Sequence, residues 1–68
     1  MAWYNLGVVL EDQRRAREAI AAYEKTIALD PELAPAHYNL SRLFEQEGAT
    51  AAAIRHLAEY RRLRQPAS

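Results

Sequence analysis

Few side chains in this 68-residue chain are of a type and spacing that could do chemistry. His37 and His56 are the two histidines, and neither belongs to the H-E-x-x-H pattern of a zinc enzyme. Ser41 lies one helical turn after His37, but no third group is placed to orient a base, so a nucleophile–base relay is not indicated. The chain has no cysteine. The sequence therefore predicts no enzyme, no metal site and no cofactor.

The two histidines receive structural interpretations instead. His37 falls on an apolar stripe and is predicted to be a packed core residue. His56 lies between Arg55 and Glu59 and is predicted to be solvated.

Charge argues against several classes of partner. Nine basic and nine acidic residues balance, which opposes a nucleic-acid or membrane role set by the overall field. The arginines of residues 55–64 do not align on one face, and they are interpreted as the polar end of a helical array. No apolar run approaches the roughly 18 residues of a membrane span. With no signal peptide before Trp3 and no cysteine, the expected location is cytoplasmic.

The sequence segments that contain these residues repeat with a period of 34 residues. A shift by 34 places Tyr4-Asn5-Leu6 over Tyr38-Asn39-Leu40 and Ala19-Ile20 over Ala53-Ile54. Apolar residues recur at i, i+3, i+4 and i+7, as expected for one face of a helix. The pattern predicts an all-α fold with four helices, at residues 2–13, 16–29, 35–47 and 50–64.

The period and its motifs resemble the tetratricopeptide repeat family. Residues 3–7 match its W-x-x-L-G opening, residues 19–23 its Ala-x-x-x-aromatic centre, and Pro31 its closing proline. The second copy departs at three positions, where it has His37, Ser41 and Gln65. The resemblance implies tandem helix-turn-helix repeats in a short right-handed superhelical solenoid. The expected repeats are residues 1–34 and residues 35–68, the second with a polar end and a short tail.

The resemblance also implies a concave groove lined by the first helix of each repeat. It places the following residues there: Tyr4, Asn5, Val8, Glu11 and Asp12 from the first copy, and Tyr38, Asn39, Arg42, Glu45 and Gln46 from the second. Tyrosine and asparagine suit the recognition of a peptide backbone. The carboxylates favour a neutral or basic peptide or protein segment as the partner.

The turn after the first helix leaves two alternatives open. Gly48 can adopt the left-handed conformation that ends a helix, whereas its equivalent Arg14 does so at a cost of roughly 1 kcal/mol. Either the turn forms despite Arg14, or the first and second helices fuse into one rod that exchanges between two chains.

Two functions remain open. The first is a non-enzymatic interaction scaffold that binds a peptide or protein segment in the groove. The second is a self-association unit, most simply a homodimer, because a two-repeat core is small and its first helix has nothing stacked before it. The residues expected in self-association are Trp3, Leu6, Leu10 and Arg14.

Overall fold

Four α-helices make up most of residues 2–65, the part of the chain that the computed structural model describes. They are α1 (Ala2–Asp12), α2 (Ala16–Leu29), α3 (Ala34–Gln46) and α4 (Thr50–Arg64). These bounds lie within one residue of those predicted from the apolar stripes, and no strand occurs between residues 2 and 65. The all-α, helix-turn-helix fold is confirmed. Most of the predicted tail, residues 66–68, lies outside the described residues.

The four helices form two hairpins joined in series. Helix α1 packs against α2, α3 packs against α4, and α2 packs against α3, so the second hairpin stacks on the first. Pro35 sits in the first turn of α3, where a missing backbone N–H costs no helical hydrogen bond.

The turns after α1 and α3 have the same geometry although their sequences differ. Arg14 has φ 61° and Gly48 has φ 81°, so both residues are left-handed. The backbone N–H of Arg15 donates to the carbonyl of Leu10 at 2.9 Å, and that of Ala49 donates to Phe44 at 2.8 Å. This 6→1 bond satisfies a carbonyl that the end of a helix would otherwise leave free. The fused first helix does not form in this structure, because α1 and α2 are separate elements on either side of Arg14.

Inside the first hairpin, a small residue allows close helix packing. A Cβ on Gly7 would lie 2.6 Å from the ring of Tyr23, which is fully buried. In the second hairpin the equivalent pair is Ser41 and Leu57, a slightly larger residue opposite a smaller one. Gly7 therefore allows α1 and α2 to approach each other closely.

Equivalent positions in the two copies differ in burial where the hairpins stack. Leu40 is 0% exposed, whereas its equivalent Leu6 is 43% exposed. Leu43 is 2% exposed, whereas its equivalent Val9 is 49% exposed. Leu40 and Leu43 join Tyr23 in one hydrophobic cluster that spans the two hairpins. We call this surface of α1 or α3 the leading face; in α3 it is covered by the first hairpin.

Candidate functional site

A polar network joins α1, α2 and α3 at the surface predicted to form the groove. The Asn39 amide donates to the Tyr4 hydroxyl at 3.2 Å, and the Arg42 guanidinium donates to the Asn39 oxygen at 3.3 Å. Arg42 also pairs with Glu11 at 2.8 Å, and the Tyr23 hydroxyl donates to the other Glu11 oxygen at 2.8 Å. We call these five residues the groove network. It includes four of the residues predicted for the groove: Tyr4, Glu11, Asn39 and Arg42.

Glu11 is the anionic centre of this network. Its side chain is 17% exposed, and one carboxylate oxygen faces Arg42 while the other accepts from Tyr23. Burial, reinforced by the Glu11 carboxylate, raises the pKa of Tyr23 above its usual range. Tyr23 therefore stays protonated and donates its hydroxyl proton at any physiological pH. The rings of Tyr4 and Tyr23, with centroids 5.6 Å apart, add an aromatic contact.

The groove network leaves several hydrogen-bond donors unused. The Tyr4 oxygen accepts from Asn39, so the hydroxyl proton of Tyr4 is available to another acceptor. The Asn39 amide has a second N–H, and the Arg42 guanidinium has further N–H groups beyond those in the network. All three side chains are only half-buried, so these donors are accessible. These N–H and O–H groups are donors of the kind that carbonyl oxygens accept.

The other predicted groove residues do not join the network. Asn5, Val8 and Asp12 are exposed on α1. Tyr38 is 43% exposed and packs against Tyr60 of α4, with ring centroids 5.0 Å apart. Their placement in a binding groove stays a prediction.

A cleft of about 470 Å³ lies between the first turn and α3. It is lined by Glu11, Arg14, Ala16, Arg42, Leu43 and Gln46. The cleft brings Arg42 and Gln46, both predicted groove residues, next to Arg14. Arg14 was predicted to take part in self-association, which stays a prediction, and the structure places it in the lining of this cleft between the two repeats.

Comparison with known proteins agrees with the repeat geometry. Residues 1–33 match the family model of the tetratricopeptide repeat. The match covers the first of the two copies, 33 of the 68 residues, and supports the similarity of this copy to the tetratricopeptide repeat. It is also 44% identical over 41 residues to a peroxisomal targeting signal receptor of Kluyveromyces lactis. That match covers 60% of this chain and 7% of the receptor's length.

The leading face of the first tetratricopeptide repeat is open. Trp3 is 40% exposed, and together with Leu6 it lines a cavity of about 460 Å³. Leu10, also predicted for self-association, is 8% exposed and belongs to the core of the repeat, although it reaches the cavity wall. Lys25 lies over the Trp3 ring at 5.9 Å, within the range of a cation–π contact.

The two histidines meet in the second repeat. His37 is 6% exposed, which confirms its prediction as a packed residue. The prediction that His56 is solvated is wrong. His56 is half-buried, stacks on Phe44 with ring centroids 5.5 Å apart, and lies 3.1 Å from His37 between their Nδ1 atoms.

Two absences hold for the described part of the chain. None of the helices between residues 2 and 65 is long and apolar enough to cross a bilayer. Across the same residues, no cluster of three or more histidine, aspartate or glutamate side chains is arranged to hold a metal ion.

The sequence did not indicate that Tyr23 is a hydrogen-bond donor as well as a core aromatic residue. Its position predicts a core aromatic, and the ring is buried as expected, but its hydroxyl reaches Glu11 across the turn. A tyrosine at a core position, with a carboxylate one turn before the hairpin bend, is the signal that could have indicated this bond.

Proposed function

We propose that this chain binds an extended peptide segment of a partner protein along the surface between α1 and α3. The observation that carries the proposal is the groove network, which holds Tyr4, Asn39 and Arg42 in one arrangement with unused donors. Repeats of this family are interaction modules, and the match of residues 1–33 to its model supports a peptide or protein partner.

The chemistry of a peptide backbone fits these donors. An extended segment presents a carbonyl oxygen at every residue, and its backbone groups need partners when they leave water. The hydroxyl of Tyr4 and the second N–H of Asn39 are close enough to serve neighbouring carbonyls, because the two side chains are bonded to each other at 3.2 Å. Since the network fixes both side chains in advance, binding would cost less side-chain entropy.

Charge supports a neutral or basic segment. Arg42 is already paired with Glu11 at 2.8 Å, so its charge is largely neutralised. Asp12 and Glu45 are exposed on the same two helices, and they leave the surface with an excess of negative charge. An acidic segment would be repelled, although water and salt weaken the effect.

The name of the similar protein from Kluyveromyces lactis supports the proposal. A peroxisomal targeting signal receptor recognises a targeting signal in another protein. Because the match covers 7% of that receptor, we carry over to this chain only the binding of a peptide segment and not the identity of the signal.

The matched pair Asn39 and Asn5 allows a direct test. They are equivalent in the two repeats, but only Asn39 is bonded within the groove network. A peptide array containing neutral, basic and acidic sequences would identify binders, and their affinities would be measured by calorimetry. We expect Asn39→Ala to weaken binding by about tenfold, the loss of one well-placed hydrogen bond to a polar partner.

Two control variants define the outcome. Asn5→Ala is expected to weaken binding less than Asn39→Ala does. Glu24→Ala changes an exposed residue of α2 outside the groove and should leave affinity unchanged. If Asn39→Ala folds normally and binds every peptide as tightly as the parent, the groove is not the binding surface.

Self-association is the second candidate function, and the open leading face favours it. Trp3, Leu6 and Val9 are each at least 40% exposed, whereas their equivalents in the second repeat are buried by the first. The α2 surface that packs on α3 has its equivalent on α4, where Ile54 is 63% exposed, so α4 of another copy is the surface that would cover this face. Burying apolar area there would contribute roughly 25 cal/mol per Å².

Sedimentation across a range of protein concentrations tests this candidate. Leu6→Ser removes an apolar side chain from the leading face, and Val8→Ser removes one from the groove side of α1. We expect association that Leu6→Ser weakens and Val8→Ser does not. A chain that stays monomeric at every accessible concentration would eliminate self-association and leave peptide binding untouched.

A further inference from the structure

His37 and His56 form a hydrogen-bonded chain that ends on the backbone. Their Nδ1 atoms are 3.1 Å apart, and the His37 Nε2 atom is 2.9 Å from the carbonyl oxygen of Pro31. The ring centroids are 5.3 Å apart, so the two nitrogens face each other along the line between the rings. A metal ion between them would need about 2.0 Å to each nitrogen, for which this gap is too short.

The carbonyl at Pro31 determines where the protons lie. A carbonyl oxygen only accepts, so His37 Nε2 carries a proton and donates it. In neutral His37 the Nδ1 atom is then an acceptor, and His56 must donate from its own Nδ1. A proton added to His37 Nδ1 would set two N–H groups against each other and break the bond. The two facing Nδ1 atoms can therefore hold one proton between them but not two.

The surroundings favour the neutral form of His56. Burial, then His37 and Arg55, lower the pKa of His56, while Glu59 acts in the opposite direction. Glu59 itself is paired with Arg62 on α4. On the connector between α2 and α3, the Asp30 carboxylate accepts the backbone N–H of Glu32 at 3.3 Å. The Glu59 carboxylate and, to a smaller extent, the Glu32 carboxylate raise the pKa of Arg62.

The equivalent positions in the first repeat contain no titratable side chains. The residues equivalent to His37 and His56 are Trp3 and Ala22. A large apolar ring opposite a methyl group in one copy is replaced by two imidazoles in the other. The histidine pair is thus a feature of the second repeat and not of the repeat fold.

We propose that His37 and His56 form a proton-sensitive latch that ties α3 to α4 and to the carbonyl of Pro31, and that protons loosen it as the pH falls. Tyr38 and Asn39 directly follow His37 in α3, so loosening would also disturb the groove. That last consequence rests on the proposed function, whereas the latch itself does not.

The sign of the effect on stability follows from the lowered pKa of His56. The unfolded chain binds a proton at the ordinary histidine pKa of about 6.5, and the folded chain does so only at lower pH. The stabilisation from the neutral pair is therefore fully present above about pH 6.5 and is lost as the pH falls below it.

Nitrogen-15 NMR of the histidine rings in the unmodified protein is the first test. At about pH 8 we expect His37 in the Nε2–H tautomer and His56 in the Nδ1–H tautomer. On acidification the His56 ring should titrate below the ordinary range. Two rings in the same tautomer that titrate independently would overturn the latch.

A double variant, His37→Trp with His56→Ala, copies the first repeat and removes both titratable groups. Thermal unfolding midpoints would be measured from about pH 8 to about pH 5.5, an interval that brackets the ordinary histidine pKa. We expect the midpoint of the parent to fall with pH by clearly more than that of the double variant. Equal pH dependence in the two proteins would contradict the proposal. Should the double variant fail to fold, the tautomer measurement on the parent decides.

Discussion

The two repeats contain the same helical hairpin, but their leading faces have different surroundings. In the second repeat the leading face is covered, and Leu40 and Leu43 are almost fully buried. In the first repeat the same face is open, and Leu6 and Val9 are nearly half-exposed. A repeat closes its own hairpin but depends on a neighbour to bury its leading face, as expected for a fold stabilised by nearest-neighbour contacts. The two repeats therefore differ because the first hairpin covers the leading face of α3, whereas no described helix covers that of α1.

The contribution of stacking can be measured with one substitution made in each repeat. Leu40→Ala removes a fully buried side chain and should lower the free energy of unfolding by about 2–5 kcal/mol. Leu6→Ala removes a side chain that is already 43% exposed and should cost less than about 1 kcal/mol. Urea unfolding of a dilute sample measures both. Equal losses would mean that stacking does not distinguish the two leading faces.

Exchange of the small residues inside the hairpins tests a second difference. Gly7→Ser introduces the residue of the second copy at a position where a Cβ would lie 2.6 Å from the Tyr23 ring. We expect a loss of about 1–3 kcal/mol from overpacking. The reverse change, Ser41→Gly, creates no clash and should cost about 1 kcal/mol or less through helix propensity. A Gly7→Ser variant as stable as the parent would show that Tyr23 moves aside freely.

Substitutions in the two turns should change the stability of the protein least, and the two expected changes are opposite in sign. Arg14 occupies a left-handed conformation at φ 61°, so Arg14→Gly should relieve strain and stabilise the protein by up to about 1 kcal/mol. Gly48→Ala should destabilise it by a similar amount, since nothing lies within 4 Å of the added Cβ and only the backbone is strained. Thermal unfolding would measure both. Destabilisation by Arg14→Gly would contradict the turn geometry.

The helices could be predicted because each depends on local pattern. Apolar spacing sets their faces, and Pro31 and Gly48 set two of their ends. The turn at Arg14 could not be decided from sequence, because local propensity favours a continuous helix there and only packing of α1 on α2 overrides it.

The polar contacts were harder to predict than the helices. Tyr4, Asn39 and Arg42 were placed on one surface by their repeat positions, but their bonds to each other depend on how the hairpins stack. The contact between His37 and His56 was missed for the same reason. The two residues lie on different helices, and the charged neighbours of His56 in the sequence suggested solvent.

The central claim, that a peptide binds between α1 and α3, can be tested most directly by NMR. In a labelled sample, the Trp3 indole reports on the open leading face, and the Asn39 side-chain amide reports on the groove network. Trp3 is the single tryptophan, so its indole signal is unambiguous. When a peptide from the array is added, the account predicts that the Asn39 amide signals shift and the Trp3 indole signal does not. A shift of the Trp3 indole with unchanged Asn39 amide signals would contradict it and place the peptide on the leading face.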